Sequence, residues 1–198
     1  MLIAALIALS AVQSPADSVV YVVAPASRLE VTTAKSGLLG FAGHEHTIRA
    51  RGFSGKVVYY PKSVTASRIE IAVPTDSLEV LTPPDTEEIR KVTASMRTEV
   101  LDVAHYREIR LVSHRIEGSA PHLDLTVALT IKGNTREVHI PVDVEIGADT
   151  LRATATFSVK QTDFGIRPYR GGPGGTVRVA DRVTFAIGVV AIRRSPNP

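Results

Sequence analysis

"HLDLTVALTIKGNTREVHIPVDVEIG", residues 122–147, decides the fold. Leu123, Leu125, Val127, Leu129 and Ile131 fall on every second position, and Val138, Ile140, Val142, Val144 and Ile146 do the same on the return. Successive side chains of a strand point to opposite faces, so each run presents one apolar and one polar face. "KGNT" stands between them as the turn. The stretch reads as an antiparallel hairpin with one side buried and the other wet.

The same period extends outward. "RLEVT" sets Leu29 and Val31 on one face, "RIEIAV" sets Ile69, Ile71 and Val73, and "EIRLVSHRI" sets Ile109 and Leu111. "LRATATFSV" continues with Leu151, Ala153, Ala155, Phe157 and Val159, and "RVTFAIGVVAI" ends the pattern with Val183, Phe185, Ile187 and Val189. One segment departs from it. In "TPPDTEEIRKVTASMRTEVLD", Ile89, Val92, Met96 and Val100 recur at helical spacing. Thr82 is a candidate cap, and Asp85, Glu87 and Glu88 suit a positive helix start, so a helix is expected near 84–100. About eight strands and one short helix predict an all-β fold, a closed antiparallel barrel in which closure removes the edge strands.

The 198 residues suffice for one domain with a substantial core. "MLIAALIALSAV" is apolar and uncharged but short for a membrane span. With "QSPAD" after it, it reads as a signal peptide over 1–16, leaving a mature domain at 17–198 and a periplasmic or secreted protein. There is no cysteine, so burial alone must stabilise the fold. A net charge of +3 and the absence of Trp argue against a nucleic-acid partner and allow transient contact with a membrane surface. "RGGPGG" reads as a loop, and Asp181 and Arg182 in "VRVADRV" as a bend between strands.

The order of these pieces resembles the YceI family. "YVVAPASRLEVTTAKSGLLGF" is similar to the family's opening strand, and "FSGKVVYYPKSVTASRIEIAVPTDSL" to its Phe-x-Gly strand and the strand after it. "VLDVAHYREIRLVS", "LTIKGNTREVHIPV" and "TDFGI" with "VRVADRVTFAI" are similar to its later segments, so the resemblance spans roughly 20–192. Val100-Leu101 stands where the family usually has aromatics, and Arg107 where proline is usual. The resemblance implies an exported, lipocalin-like barrel whose apolar interior holds a long isoprenoid chain.

No nucleophile motif, phosphate loop or zinc-protease spacing is present. The run that asks for an explanation is "GHEHTIRA": extended, it places His44, His46, Ile48 and Ala50 on one face and Glu45, Thr47, Arg49 and Arg51 on the other. Three readings stay open. The histidines are satisfied core residues, polar anchors for a ligand head helped by Arg49 or Arg51, or an H-x-H metal pair that needs a third ligand, for which His105 is the candidate. The candidate ligand contacts are His44, His46, Phe41, Ile48 and Phe53 around this run, and Leu125, Val127, Leu129 and Phe157 on the strand faces. The expected function is a non-enzymatic protein holding an isoprenoid or similar amphiphile, with no cofactor beyond that lipid. The alternative is a metal- or haem-linked redox accessory protein using the His44/His46 pair.

Overall fold

The structure is a computed structural model and describes residues 18–36, 45–81, 86–171 and 177–195. The strands are β1 (Val19–Val23), β2 (Arg28–Ser36), β3 (His46–Ala50), β4 (Ser54–Tyr59), β5 (Arg68–Pro74), β6 (Leu78–Val80), β7 (Glu108–Ser119), β8 (His122–Ile131), β9 (Asn134–Ile146), β10 (Thr150–Lys160), β11 (Arg170–Gly171) and β12 (Val177–Arg193). The helix α1 (Thr86–Ser95) runs into a π-helical turn at Met96–Val100. Thr82 and Asp85, which the sequence assigns to the helix start, lie outside the described residues.

The strands close into an antiparallel barrel. β1, β4, β5, β7, β8, β9, β10 and β12 pair in that order, and β12 pairs back onto β1. β2, β3 and β6 continue β1, β4 and β5 beyond bends, so among the described residues eight strand paths form the wall. β12 shows the bend most clearly: residues 191–193 pair with β1 and residues 178–188 with β2.

Polar side chains replace the ladder at these bends. Ser27 Oγ donates to Val190 O (3.0 Å) and accepts from Val190 N (2.9 Å). Ser77 Oγ donates to Gly52 O (2.9 Å), and Thr75 Oγ1 donates to Tyr106 O (2.8 Å). Backbone groups that a kink removes from the sheet are thereby still paired. A Cβ at Gly52 would lie 3.2 Å from Ser77 Cβ, so the neighbouring bends approach closely.

The hairpin at 122–147 forms with all the expected faces: Leu123, Leu125, Val127, Leu129 and Ile131 are buried in register with a return strand carrying Ile140 and Val144 inward. Its loop is two residues, Lys132 (φ 49°) and Gly133 (φ 72°), the left-handed pair that matches the twist of a tight hairpin. Asn134 Nδ2 then donates to Lys132 O and Phe164 O, both at 3.0 Å. The β9–β10 ladder covers only Val142 to Ile146 on β9. The next position, Pro141, has no N–H to extend it. On β7 the alternation slips at a bulge between Ser113 and Arg115, which leaves His114 exposed.

The two ends of the barrel differ. At the end bearing β1, Tyr21, Leu151, Val189 and Ala191 fill the interior, and Tyr21 Oη donates to Gly147 O (2.9 Å). At the other end β2, β3 and β6 carry the wall past the bends, and α1 packs against it. "VRVADRV" is not a bend between strands, as the sequence reading has it. It lies inside β12, a single strand of 17 residues, with a register shift between Val179 and Val183. Asp181 serves the adjacent turn instead: its carboxylate accepts from Thr162 N (2.9 Å) and Thr162 Oγ1 (2.8 Å).

Candidate functional site

The open end of the barrel holds a cavity of about 510 Å³. That volume lies within the range of sites that take one small organic molecule, on the order of 300–1,000 Å³. Its walls follow from the strand parity. β2 contributes Val31 and Thr33, β3 contributes His46 and Ile48, and β6 contributes Leu78. Ile109 and Ile131 come from the ends of β7 and β8, and Val179, Val183 and Phe185 from β12. α1 and the π-helical turn lay Val92, Met96 and Val100 over it, with Leu101 following. Phe185 is flanked on the neighbouring strand by Phe157, whose ring stacks on it with centroids 4.8 Å apart.

Polar groups occur in three places. Thr33 and His46 sit on paired strands, and the His46 N–H donates to Thr33 Oγ1 at 3.3 Å. Lys91, Tyr169 and Arg178 are exposed cavity-lining residues and so mark the mouth, with half-buried Glu88 beside them. Deeper in, buried Gln161 donates from Nε2 to Ala180 O (2.8 Å). Among the described residues, no three His, Cys, Asp or Glu side chains converge as a metal-binding group. What the described lining offers is apolar surface with a polar fringe.

The sequence-derived candidates separate into groups. His46 and Ile48 line the cavity. His44 and Phe41 lie outside the described residues. Phe53 packs partly buried against the core and does not line the cavity. Leu125, Val127, Leu129 and Phe157 are buried and do not line it either: they point inward, but at a level that other side chains fill. Arg49 and Arg51, offered as helpers of a ligand head, face outward instead. Strand alternation turns them away from His46, and they pair with Glu30 (2.6 Å for Arg49) and Glu79 respectively. His105 is exposed, 2.8 Å from Asp102, and is not part of the cavity wall.

Among the described residues Glu30 is the one carboxylate that is buried. Burial alone would raise its pKa, but hydrogen bonds from Arg28 and Arg49 outweigh that and hold it below the ordinary value. It braces β2 against β3 on the outer surface, behind the wall that carries Val31 and Ile48.

Sequence reasoning missed most of the cavity. Val31, Ile109, Val183 and Phe185 have inward parity, but parity does not say which level of a barrel is left open. Arg178 and Tyr169 carry no motif at all; only the pairing of β11 with β12 brings them to the mouth.

Solved structures share this architecture. Burkholderia cenocepacia BcnA superposes with a TM-score of 0.65 at 18% identity, covering 83% of this chain and 95% of that one. A polyisoprenoid-binding domain from Saccharophagus degradans gives 0.65 at 12% identity, covering 88% and 98%. The Campylobacter jejuni YCEI protein gives 0.58 at 14% identity, covering 75% and 85%. None of the curated proteins matches the chain. The model of the YceI-like domain matches residues 21–191, nearly the whole of the barrel, and the chain therefore belongs to the YceI family.

Proposed function

We propose that this protein is an exported, non-enzymatic carrier that holds the chain of one isoprenoid or similar long amphiphile in the cavity beneath α1. The observation that carries the reading is the cavity itself: about 510 Å³, walled mainly by aliphatic side chains, with polar groups gathered at its mouth and at His46. Each buried methylene contributes about 0.8 kcal/mol, so a chain of modest length is held without special chemistry. The printed ligand class of the Saccharophagus degradans domain, a polyisoprenoid, supports the choice of amphiphile. Export rests on the apolar start "MLIAALIALSAV" and the small residues before Asp17. His46, and with it His44, serves the polar part of the ligand rather than a resident metal, since two imidazoles fall short of the three or four ligands of a lasting site.

Protein purified gently from its own host is extracted with organic solvent, and the extract is analysed by mass spectrometry. About one long-chain amphiphile per chain is the expected result. A clean extract, together with no uptake of an added isoprenoid, overturns the carrier reading. Intact mass of the same sample tests export: the mature chain begins at or within a few residues of Asp17, and a chain retaining Met1 refutes it.

A further inference from the structure

We propose that the gap between β9 and the second half of β10 is a docking slot for an extended segment of another protein. The segment adds a strand to the free edge of β10 and sets a basic side chain in the acidic pocket at the upper end of the slot. The inference is independent of what fills the main cavity.

The slot follows from one residue. The β9–β10 ladder ends at Val142 opposite Ala155. Pro141, next on β9, has no N–H to offer β10, so the ladder cannot continue regularly. Beyond it, among the described residues, Asn134 to Pro141 pair only with β8, and Thr156 to Lys160 only with β12. Two hydrogen bonds fix which groups are left over. The Gly147 N–H donates to Thr150 O (2.9 Å), and the Val144 N–H to Pro121 O (2.7 Å). In an antiparallel sheet a residue turns both backbone groups to one neighbouring strand, and the next residue turns them to the other. Counted from these bonds, Ser158 and Lys160 on β10, and Glu137 and His139 on β9, direct N–H and C=O into the gap. Asn134 Nδ2, donating to Phe164 O (3.0 Å), closes the lower end, where the turn Gln161–Phe164 leaves β10. Residues 156–160 thus present about 17 Å of edge, at about 3.4 Å per residue. Phe157, Val159 and Ile140 are buried beneath it, so its floor is apolar.

Such an edge recruits an extended peptide through main-chain hydrogen bonds, while pockets for alternate side chains choose its sequence. A pocket is present. Where the strands part, a cavity of about 300 Å³ has His122, Asp124, Pro141, Asp143, Thr154 and Thr156 in its lining. His122 Nδ1 lies 2.6 Å from Asp143 Oδ1. Asp124 has no hydrogen bond or ion pair among the described residues. The surrounding cations are engaged elsewhere: Arg115 pairs with Glu117 (2.7 Å), and Arg152 stands opposite Glu145. Lower down, Glu137 and Lys160 flank the slot from opposite strands. The pocket therefore carries two carboxylates against one histidine, and a Lys or Arg of the docked segment is its complement.

The test titrates the purified protein into fluorescein-labelled Arg-Val-Thr-Val-Thr-Val-Arg, whose alternation turns the valines to the floor, and reads anisotropy. One control peptide has Glu for both Arg. A second carries N-methyl groups on both Thr, which removes the donors facing β10. The first peptide is expected to bind at least about tenfold more tightly than either control. Asp124→Asn/Asp143→Asn brings the Arg and Glu peptides to within about threefold of each other. Ser158→Pro removes an edge N–H that the ladder to β12 does not use, and weakens the Arg peptide at least about tenfold. If that variant fails to fold, the N-methyl peptide asks the same question of the intact protein. Amide exchange followed residue by residue reads the slot directly: Ser158 and Lys160 exchange faster than Phe157 and Val159 in the free protein, and slow when the peptide binds. Slow exchange at Ser158 and Lys160 in the free protein at every concentration overturns the open slot. Protection that appears only as the protein is concentrated assigns the slot to a second copy and overturns the partner. No binding, equal binding of the three peptides, or displacement of the peptide by farnesol, which would place it in the main cavity, overturns the docking assignment.

Discussion

The rings of Phe157 and Phe185 stack 4.8 Å apart with planes within 3° of parallel, yet only Phe185 faces the cavity. They are directly paired across β10 and β12, so the two rings lie side by side on one face and each supports the other. Truncating them should therefore have different consequences. Phe157→Ala removes a buried ring and costs about 3–5 kcal/mol of stability. Phe185→Ala costs less, because its ring is already only partly packed, and weakens ligand retention more. Denaturant unfolding of both variants beside a ligand-retention assay gives the comparison; equal stability losses would contradict it.

Enlarging a side chain distinguishes the open level of the barrel from the filled one. Val92→Phe and Ile48→Phe add volume where the cavity has room, so stability changes by less than about 1 kcal/mol while bound amphiphile falls sharply. Leu129→Phe makes a similar enlargement at a position only 2% exposed and away from the cavity. It should cost about 1–3 kcal/mol by overpacking. Lipid content per folded protein, measured by mass spectrometry, is the readout. Undiminished lipid in both cavity variants would place the ligand elsewhere.

Glu30 makes part of the stability depend on acidity. Burial pushes its carboxyl up, but Arg28 (2.9 Å) and Arg49 (2.6 Å) bring it below its ordinary value. A carboxyl whose folded pKa is lowered stabilises the fold above its unfolded value, about 4.3 for Glu. That contribution is lost as pH falls through the lower folded value. Glu30→Gln should cost about 1–2 kcal/mol at pH 7. Urea melts of wild type and variant should converge as the pH approaches 3; a gap of the same size at both pH values would assign the loss to packing instead.

Gly133 occupies the second position of the tight hairpin with φ 72°, and a Cβ there would come 2.8 Å from Tyr106 Cε1. Left-handed backbone costs a residue with a Cβ roughly 1–2 kcal/mol, and the contact with Tyr106 adds to it. Gly133→Ala is expected to lower stability by about 1–3 kcal/mol. Because Lys132 Nζ donates to Val100 O (3.0 Å) from the same turn, the variant should also loosen the π-helical turn over the cavity. Hydrogen exchange across residues 96–101 would register this, and unchanged protection there would show that the hairpin and the turn are uncoupled.

Tag-free protein analysed for metals should contain no stoichiometric zinc, copper or iron. His46→Ala is expected to weaken ligand retention, since His46 lines the cavity. Metal at one equivalent that disappears in His44→Ala or His46→Ala would favour the redox accessory alternative.

Residues 122–147 by themselves determined a hairpin with one buried face, and the repeats of their period elsewhere determined a barrel with a single helix. This information is local: side-chain direction in a strand reverses at every residue, so apolar parity records which face is inside. The same rule brought His46 and Ile48 inward and would have sent Arg49 and Arg51 outward, where Glu30 and Glu79 meet them. Parity carries no information about height along the barrel axis. Leu125, Val127 and Leu129 share the inward sense of Val183 and Phe185, but closure of the sheet sets the first three among filling side chains and the last two beside a cavity. The mouth was still less legible. Tyr169 and Arg178 stand apart in the chain, and the pairing of β11 with β12 brings them together. Tertiary structure decided both matters because each depends on strand register and ring closure, which join residues distant in the chain, whereas the alternation that sorts inside from outside is written at adjacent positions.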